Sequence, residues 1–153
     1  MVGRQWLAWL LIALVVTLVG GTGTAIAHHP PGDKGCTPGF WKNHTEIWPS
    51  PWTPSTTLET AFDVPDDYGL DATQLLTALK FGGGPGALGA AQILLRAGVA
   101  ALANAQEFGS NYPMTVGQVQ TAVSNALATH NRQVMLALAE NLDDKNNSTC
   151  PLP

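Results

Sequence analysis

Nine consecutive residues, Cys36-Thr37-Pro38-Gly39-Phe40-Trp41-Lys42-Asn43-His44, gather a thiol, an ammonium, an amide and an imidazole in one stretch. The imidazole of His44 can ligate copper or zinc, and His28, His29 and His130 are the other imidazoles that would complete such a site. Lys42, Asn43 and His44, with Trp52 on the loop beyond, form a candidate contact surface for an extracellular protein or a glycan, since an indole face offers a broad apolar platform with a polar edge. Glu46, His44 and Asp63 are the groups that would serve a cell-wall hydrolase. That chemistry needs a carboxylate pair with separated pKa values, and nothing in their spacing demands one. Asp63, Asp66, Asp67 and Asp71 cluster around Pro65 and Gly69. Their spacing is not that of an EF-hand loop, so a solvated acidic loop is expected rather than a calcium site. The run Gly82-Gly83-Gly84-Pro85-Gly86 lacks the Gly-Lys-Ser/Thr ending of a phosphate loop and reads as a hinge. No catalytic residue is assigned, and no resident cofactor is expected.

The elements around these groups read as helices. Thr37 is placed to cap a helix with Pro38 at its first position. The helix is expected over 39–48, with Trp41, His44, Thr45 and Trp48 on its packing face and Lys42 beside Glu46 on another. Three prolines make 49–54 a loop that carries Trp52. Asp71 and Gln74 have the spacing of a capping box, ahead of a helix to about residue 80 with Leu75, Leu76 and Leu79 on one face. Residues 87–105 form the most apolar helix beyond the leader, with Arg96 as its one charge. A helix apolar nearly all round is covered by neighbours on several sides. Thr115 and Gln118 form a second capping box before the stripe Val116, Val119, Val123, Ala126 and Leu127. Asn131 is placed to cap a last helix holding Val134, Met135, Leu138 and Leu142. No strand alternation is long enough to count. The expected fold is all-α: a compact bundle of about four to six helices around the central helix 87–105, with a Pro-rich N-terminal segment.

The first 27 residues have a single charge, Arg4, an apolar run over 6–19, and small residues at Ala25 and Ala27. That is the pattern of a secretory signal peptide, and the apolar run is shorter than the roughly 20 residues a bilayer span needs. A membrane role is expected only if this leader stays uncleaved. Cleavage after Ala27 would expose the amine of His28 as a further nitrogen donor, followed by an irregular arm over 28–35 and one domain over 36–153. The whole chain has a net charge of −4, and loss of Arg4 makes it −5. An acidic chain without a basic stripe excludes nucleic acid as a partner class. Cys36 and Cys150 are the two cysteines, one near each end of that domain. In an oxidising compartment an even count implies a bridge, which here would close almost the entire domain. Asn43-His44-Thr45, Asn146-Asn147-Ser148 and Asn147-Ser148-Thr149 are glycosylation sequons.

These residues together resemble a family of small secreted bacterial proteins with a Cys-Thr-Pro-Gly-aromatic-Trp-Lys-Asn-His signature. The likeness extends through Trp48-Pro49-Ser50-Pro51, Leu75-Leu76-Thr77-Ala78-Leu79, the glycine loop, Ile93-Leu94-Leu95-Arg96-Ala97, Asn111-Tyr112-Pro113 and the closing Cys150-Pro151-Leu152. Lys145 stands where relatives carry an aromatic before the paired asparagines. The resemblance implies export and a compact helical domain, and it implies no reaction, substrate or cofactor. A secreted or cell-surface helical module, non-enzymatic and closed by Cys36–Cys150, is the expectation.

Overall fold

The structure, a computed structural model, describes residues 33–153, and the leader and the arm through residue 32, with His28 and His29, lie outside the described residues. Six α-helices occur among the described residues: α1 Pro38–Asn43, α2 Leu58–Phe62, α3 Leu75–Ala78, α4 Gly86–Phe108, α5 Val116–Ala128 and α6 Arg132–Asn146. The all-α bundle around one apolar central helix is therefore present.

That central helix is α4, which packs against α1, α3, α5 and α6. Its alanines favour the helix intrinsically and let neighbours approach closely. It is long and apolar enough to cross a bilayer by length and composition, yet 67% of its most apolar window is buried inside the protein. It is a core helix. At Gly98 α5 approaches closely, since a Cβ there would lie 3.0 Å from Val123 Cγ2. At Gly89 a Cβ would collide with the Gly84 carbonyl, so the glycine loop folds back over the first turns of α4. Arg132 at the start of α6 donates from Nη1 to the carbonyls of Gly84 and Gly86, both at 2.9 Å. Asn146 at the end of α6 reaches Ala97. These contacts make α4 and α6 pack directly on each other and run in the same direction, and α5, which connects them in sequence, returns antiparallel.

Three of the four predicted caps form. Thr37 accepts from Phe40 N, Thr115 and Gln118 close a complete capping box, and Asn131 accepts from Gln133 N and Val134 N. The box at Asp71 and Gln74 does not form. The helix there is only Leu75–Ala78, and Gln74 makes no side-chain cap. Its leading N–H groups are taken by backbone instead: Leu75 N donates to Thr56 O at 2.8 Å and Leu76 N to Pro54 O at 3.1 Å. In return Leu58 N donates to Thr73 O at 2.8 Å and Glu59 N to Asp71 O at 3.0 Å, so α2 and α3 start against each other and supply one another's acceptors.

The expected helix over 39–48 also stops early. It ends at Asn43, His44 leaves the helical region at φ −120° and ψ 61°, and a separate 3₁₀ turn covers Thr45–Ile47. The indole Nε1 of Trp48 donates to the Trp41 carbonyl at 2.9 Å, the acceptor that a continuing helix would offer to Thr45.

Candidate functional site

The Cys36–His44 motif divides into a buried half and a surface half. In the buried half, Cys36 and Trp41 are fully enclosed. Both turn onto Asn104 of α4, which is itself fully buried. Asn104 Oδ1 accepts from Cys36 N at 2.9 Å and from Trp41 Nε1 at 2.9 Å. Asn104 Nδ2 donates to Cys36 O at 2.9 Å and to Asn146 Oδ1 at 2.8 Å. Asn146, fully buried on α6, also accepts from the Tyr112 hydroxyl at 2.9 Å and donates to Ala97 O at 3.0 Å. Every polar atom of the two amides is thus paired, the condition under which a buried polar network stabilises rather than destabilises. Burial first, and then the Asp143 carboxylate, push the Tyr112 phenol far above its ordinary pKa, so it remains a donor.

The Cys36–Cys150 disulfide adds a covalent closure, with Cα atoms 4.7 Å apart and 114 positions between them in sequence. Such a bridge is stable in an oxidising compartment. The strands of chain leading into and out of it run side by side: Lys34 bridges Thr149, and Gly35 N donates to Thr149 O at 3.1 Å. A Cβ on Gly35 would collide with the Lys145 carbonyl, so only glycine lets the arm cross the end of α6.

The surface half is Lys42, Asn43 and His44. Asn43 is exposed at the end of α1. His44 stacks on Phe40 with ring centroids 4.3 Å apart, and its Nδ1 lies 3.4 Å from Glu46 Oε1, with both side chains substantially exposed. It does not pack between the tryptophans as expected, because the helix that would have aligned it with Trp48 has already ended. Glu46 therefore pairs with His44 and not with Lys42. Lys42 instead lines a cleft with Arg96 and Asp143. Trp41 is the deep anchor, whereas Trp48 and Trp52 are half-buried and pack on the edge of the core. The Trp52 Nε1 is enclosed without a hydrogen-bond partner among the described residues.

His130 lies elsewhere, between α5 and α6, with φ +51°. Its Nε2 lies 2.8 Å from Asp67 Oδ2 and its ring stacks on Tyr68 at 5.0 Å. His44 and His130 thus have separate carboxylate partners, and no group of three or more His, Cys, Asp or Glu that could hold a metal occurs among the described residues. The acidic loop disperses: Asp63 ends α2 in the left-handed region, Asp66 opens a 3₁₀ turn, and Asp67 takes His130. Asp63 lines a cleft with Glu59 and Gln120, whereas His44 is engaged by Phe40 and Glu46. Of the three sequons, Asn146 is inaccessible, Asn147 donates its Nδ2 to Asp143 O at 2.8 Å, and Asn43 is open.

Asn104, which holds the motif in place, is the position that sequence reasoning missed. Its one signal is being the lone amide in the otherwise apolar run from Ala97 to Ala105. Set against known proteins, the chain matches no family model, no curated protein and no solved structure.

Proposed function

We propose that this chain is an exported, non-enzymatic helical module that engages an extracellular protein or glycan through Lys42, Asn43, His44 and Trp52. The observation that carries the reading is the division of the motif. Cys36 and Trp41 are engaged by Asn104 inside the fold, so the polar residues that follow them present at the surface on a rigid base. A site on a locked element loses little entropy when it meets a partner. The apolar leader pattern and the disulfide support export, and the resemblance to small secreted bacterial proteins points the same way.

The test is retention on the cell envelope of the source organism. Purified oxidised protein should stay with the envelope fraction, and the double variant N43A/H44A should be released while keeping the wild-type far-ultraviolet circular dichroism. Equal retention of wild type and variant would remove these residues from the contact surface.

A further inference from the structure

Three elements bring charged side chains to one cleft of about 330 Å³: Lys42 from α1, Arg96 from α4 and Asp143 from α6, with Leu79 and Asn147 beside them. This grouping is unusual for the molecule. The chain carries seven basic residues and a net charge of −4, yet this cleft holds two cations and one carboxylate. The larger cleft between α2 and α5, about 420 Å³, has Glu59 and Asp63 and no cation.

The three charges do not neutralise one another by contact. The ion pairs His44–Glu46 and His130–Asp67 lie outside this cleft. Arg96 is half-buried, and one of its five donors, at Nη1, reaches the Phe81 carbonyl at 3.3 Å. That bond orients the guanidinium and leaves its other donors without partners among the described residues. Asp143 is also half-buried. Burial raises its carboxyl above the ordinary range; the Arg96 charge opposes that rise, the neighbouring Asp144 charge adds to it, and a hydrogen bond with the Asn146 side chain opposes it in turn. Asn147 engages its amide nitrogen with the Asp143 carbonyl and leaves its Oδ1 without a partner among the described residues. The mutual placement is fixed, because α1 is tied to α4 and α6 by Asn104, Asn146 and Cys36.

From this geometry we infer that the cleft binds a small zwitterion of the α-amino-acid class, its carboxylate between Lys42 and Arg96 and its ammonium at Asp143. Arginine and lysine are the two side chains that recognise a carboxylate, the first through its planar fork and the second as a point charge. A phosphate dianion is disfavoured by Asp143 on the same wall. A bare cation is disfavoured by the two basic groups. A molecule carrying an ammonium and a carboxylate on one carbon satisfies all three, and the volume lies at the lower end of the range for small-ligand pockets. The inference deepens the binding role proposed above and shares its non-enzymatic premise. Its readout on purified protein is separate from envelope retention, so either can fail alone.

The experiment is a titration of uniformly ¹⁵N-labelled, oxidised protein with glycine and L-alanine, followed by NMR. Saturable shifts are expected at the Arg96 Nε–H and at the backbone amides of Gly39, Lys42, Asp143 and Asn147, with affinities of about 0.1–1 mM. Acetate and ethylamine, each carrying half of the zwitterion, should bind at least about tenfold more weakly, as should inorganic phosphate. K42Q, R96Q and D143N should each weaken glycine binding by about tenfold or more, and K42Q, on a different helix and without the Phe81 contact of Arg96, guards against a folding defect in R96Q. If D143N leaves glycine binding unchanged, or if acetate binds as well as glycine, the zwitterion assignment is overturned. If neither amino acid shifts these signals at about 20 mM, the site itself is overturned.

Discussion

A single amide on the core helix receives Cys36 and Trp41 from one side and Asn146 from the other, making four hydrogen bonds of 2.8–2.9 Å. Replacing Asn104 by alanine leaves the Cys36 N–H, the Cys36 carbonyl and the Trp41 indole N–H buried without partners. Each such orphan costs about 1–3 kcal/mol, and the costs overlap within one network. The expected loss for N104A is about 3–5 kcal/mol, read from urea unfolding of the oxidised protein. N104D should be about as damaging, because a carboxylate keeps the acceptor and loses the two donations to Cys36 O and Asn146 Oδ1. A loss below about 1 kcal/mol for both variants would show that this network does not hold the motif.

At the scale of elements, the junction of α5 and α6 carries a pH dependence. His130 Nε2 donates to Asp67 Oδ2 at 2.8 Å, and its Nδ1 lies 3.2 Å from the Ala128 carbonyl oxygen. The bond to Asp67 raises its pKa above the ordinary 6.5, the Ala128 carbonyl adds to the rise, and partial desolvation opposes it. A raised folded value means that the imidazolium is held more tightly in the folded state. The stabilisation is therefore complete below pH 6.5 and is lost as pH rises through the folded value. The pair is exposed, so the effect is small and weakened by salt. The difference in Tm between wild type and H130N should narrow between about pH 5.5 and about pH 8.5. A constant difference across that interval would assign His130 a packing role on Tyr68 alone.

Much of the element pattern was legible before the fold. The caps at Thr37, Thr115 and Asn131 depend on residues within three positions, and the core face of α4 depends on its own composition. The cysteine pairing followed from the even count alone, since two cysteines allow one bridge. Two expectations failed where a group outside the local signal took the hydrogen bond that the signal implied. Thr56 and Pro54 displaced the cap at Asp71 and Gln74, and the Trp48 indole took the carbonyl that would have extended α1. The Asn104–Asn146 pair and the meeting of Lys42, Arg96 and Asp143 were not legible at all. Both depend on the register between α4 and α6, which no short window encodes.

For the whole molecule, the disulfide and the network close the same seam by independent means. In the chain-entropy account, a bridge spanning 114 positions stabilises by about 4–5 kcal/mol. Cys150 is exposed while Cys36 is buried, so C150S removes the bond and leaves the core occupant in place. C150S should keep the helical content of the wild type while its guanidinium midpoint falls. The measurement is denaturation of the variant beside wild-type protein with and without reductant. An unchanged midpoint would mean that the bond adds nothing to what Asn104 already holds.

The side-by-side course of the chain at Lys34 and Thr149 has a mechanical consequence. A pull applied to the segments before residue 33 and after residue 151 meets first the short backbone pairing and then the covalent bond between Cys36 and Cys150. The covalent part of that load path runs from Cys36 to Cys150 at the neck of the domain, so the helices between them cannot be drawn out along the chain until a sulfur–sulfur bond is cut.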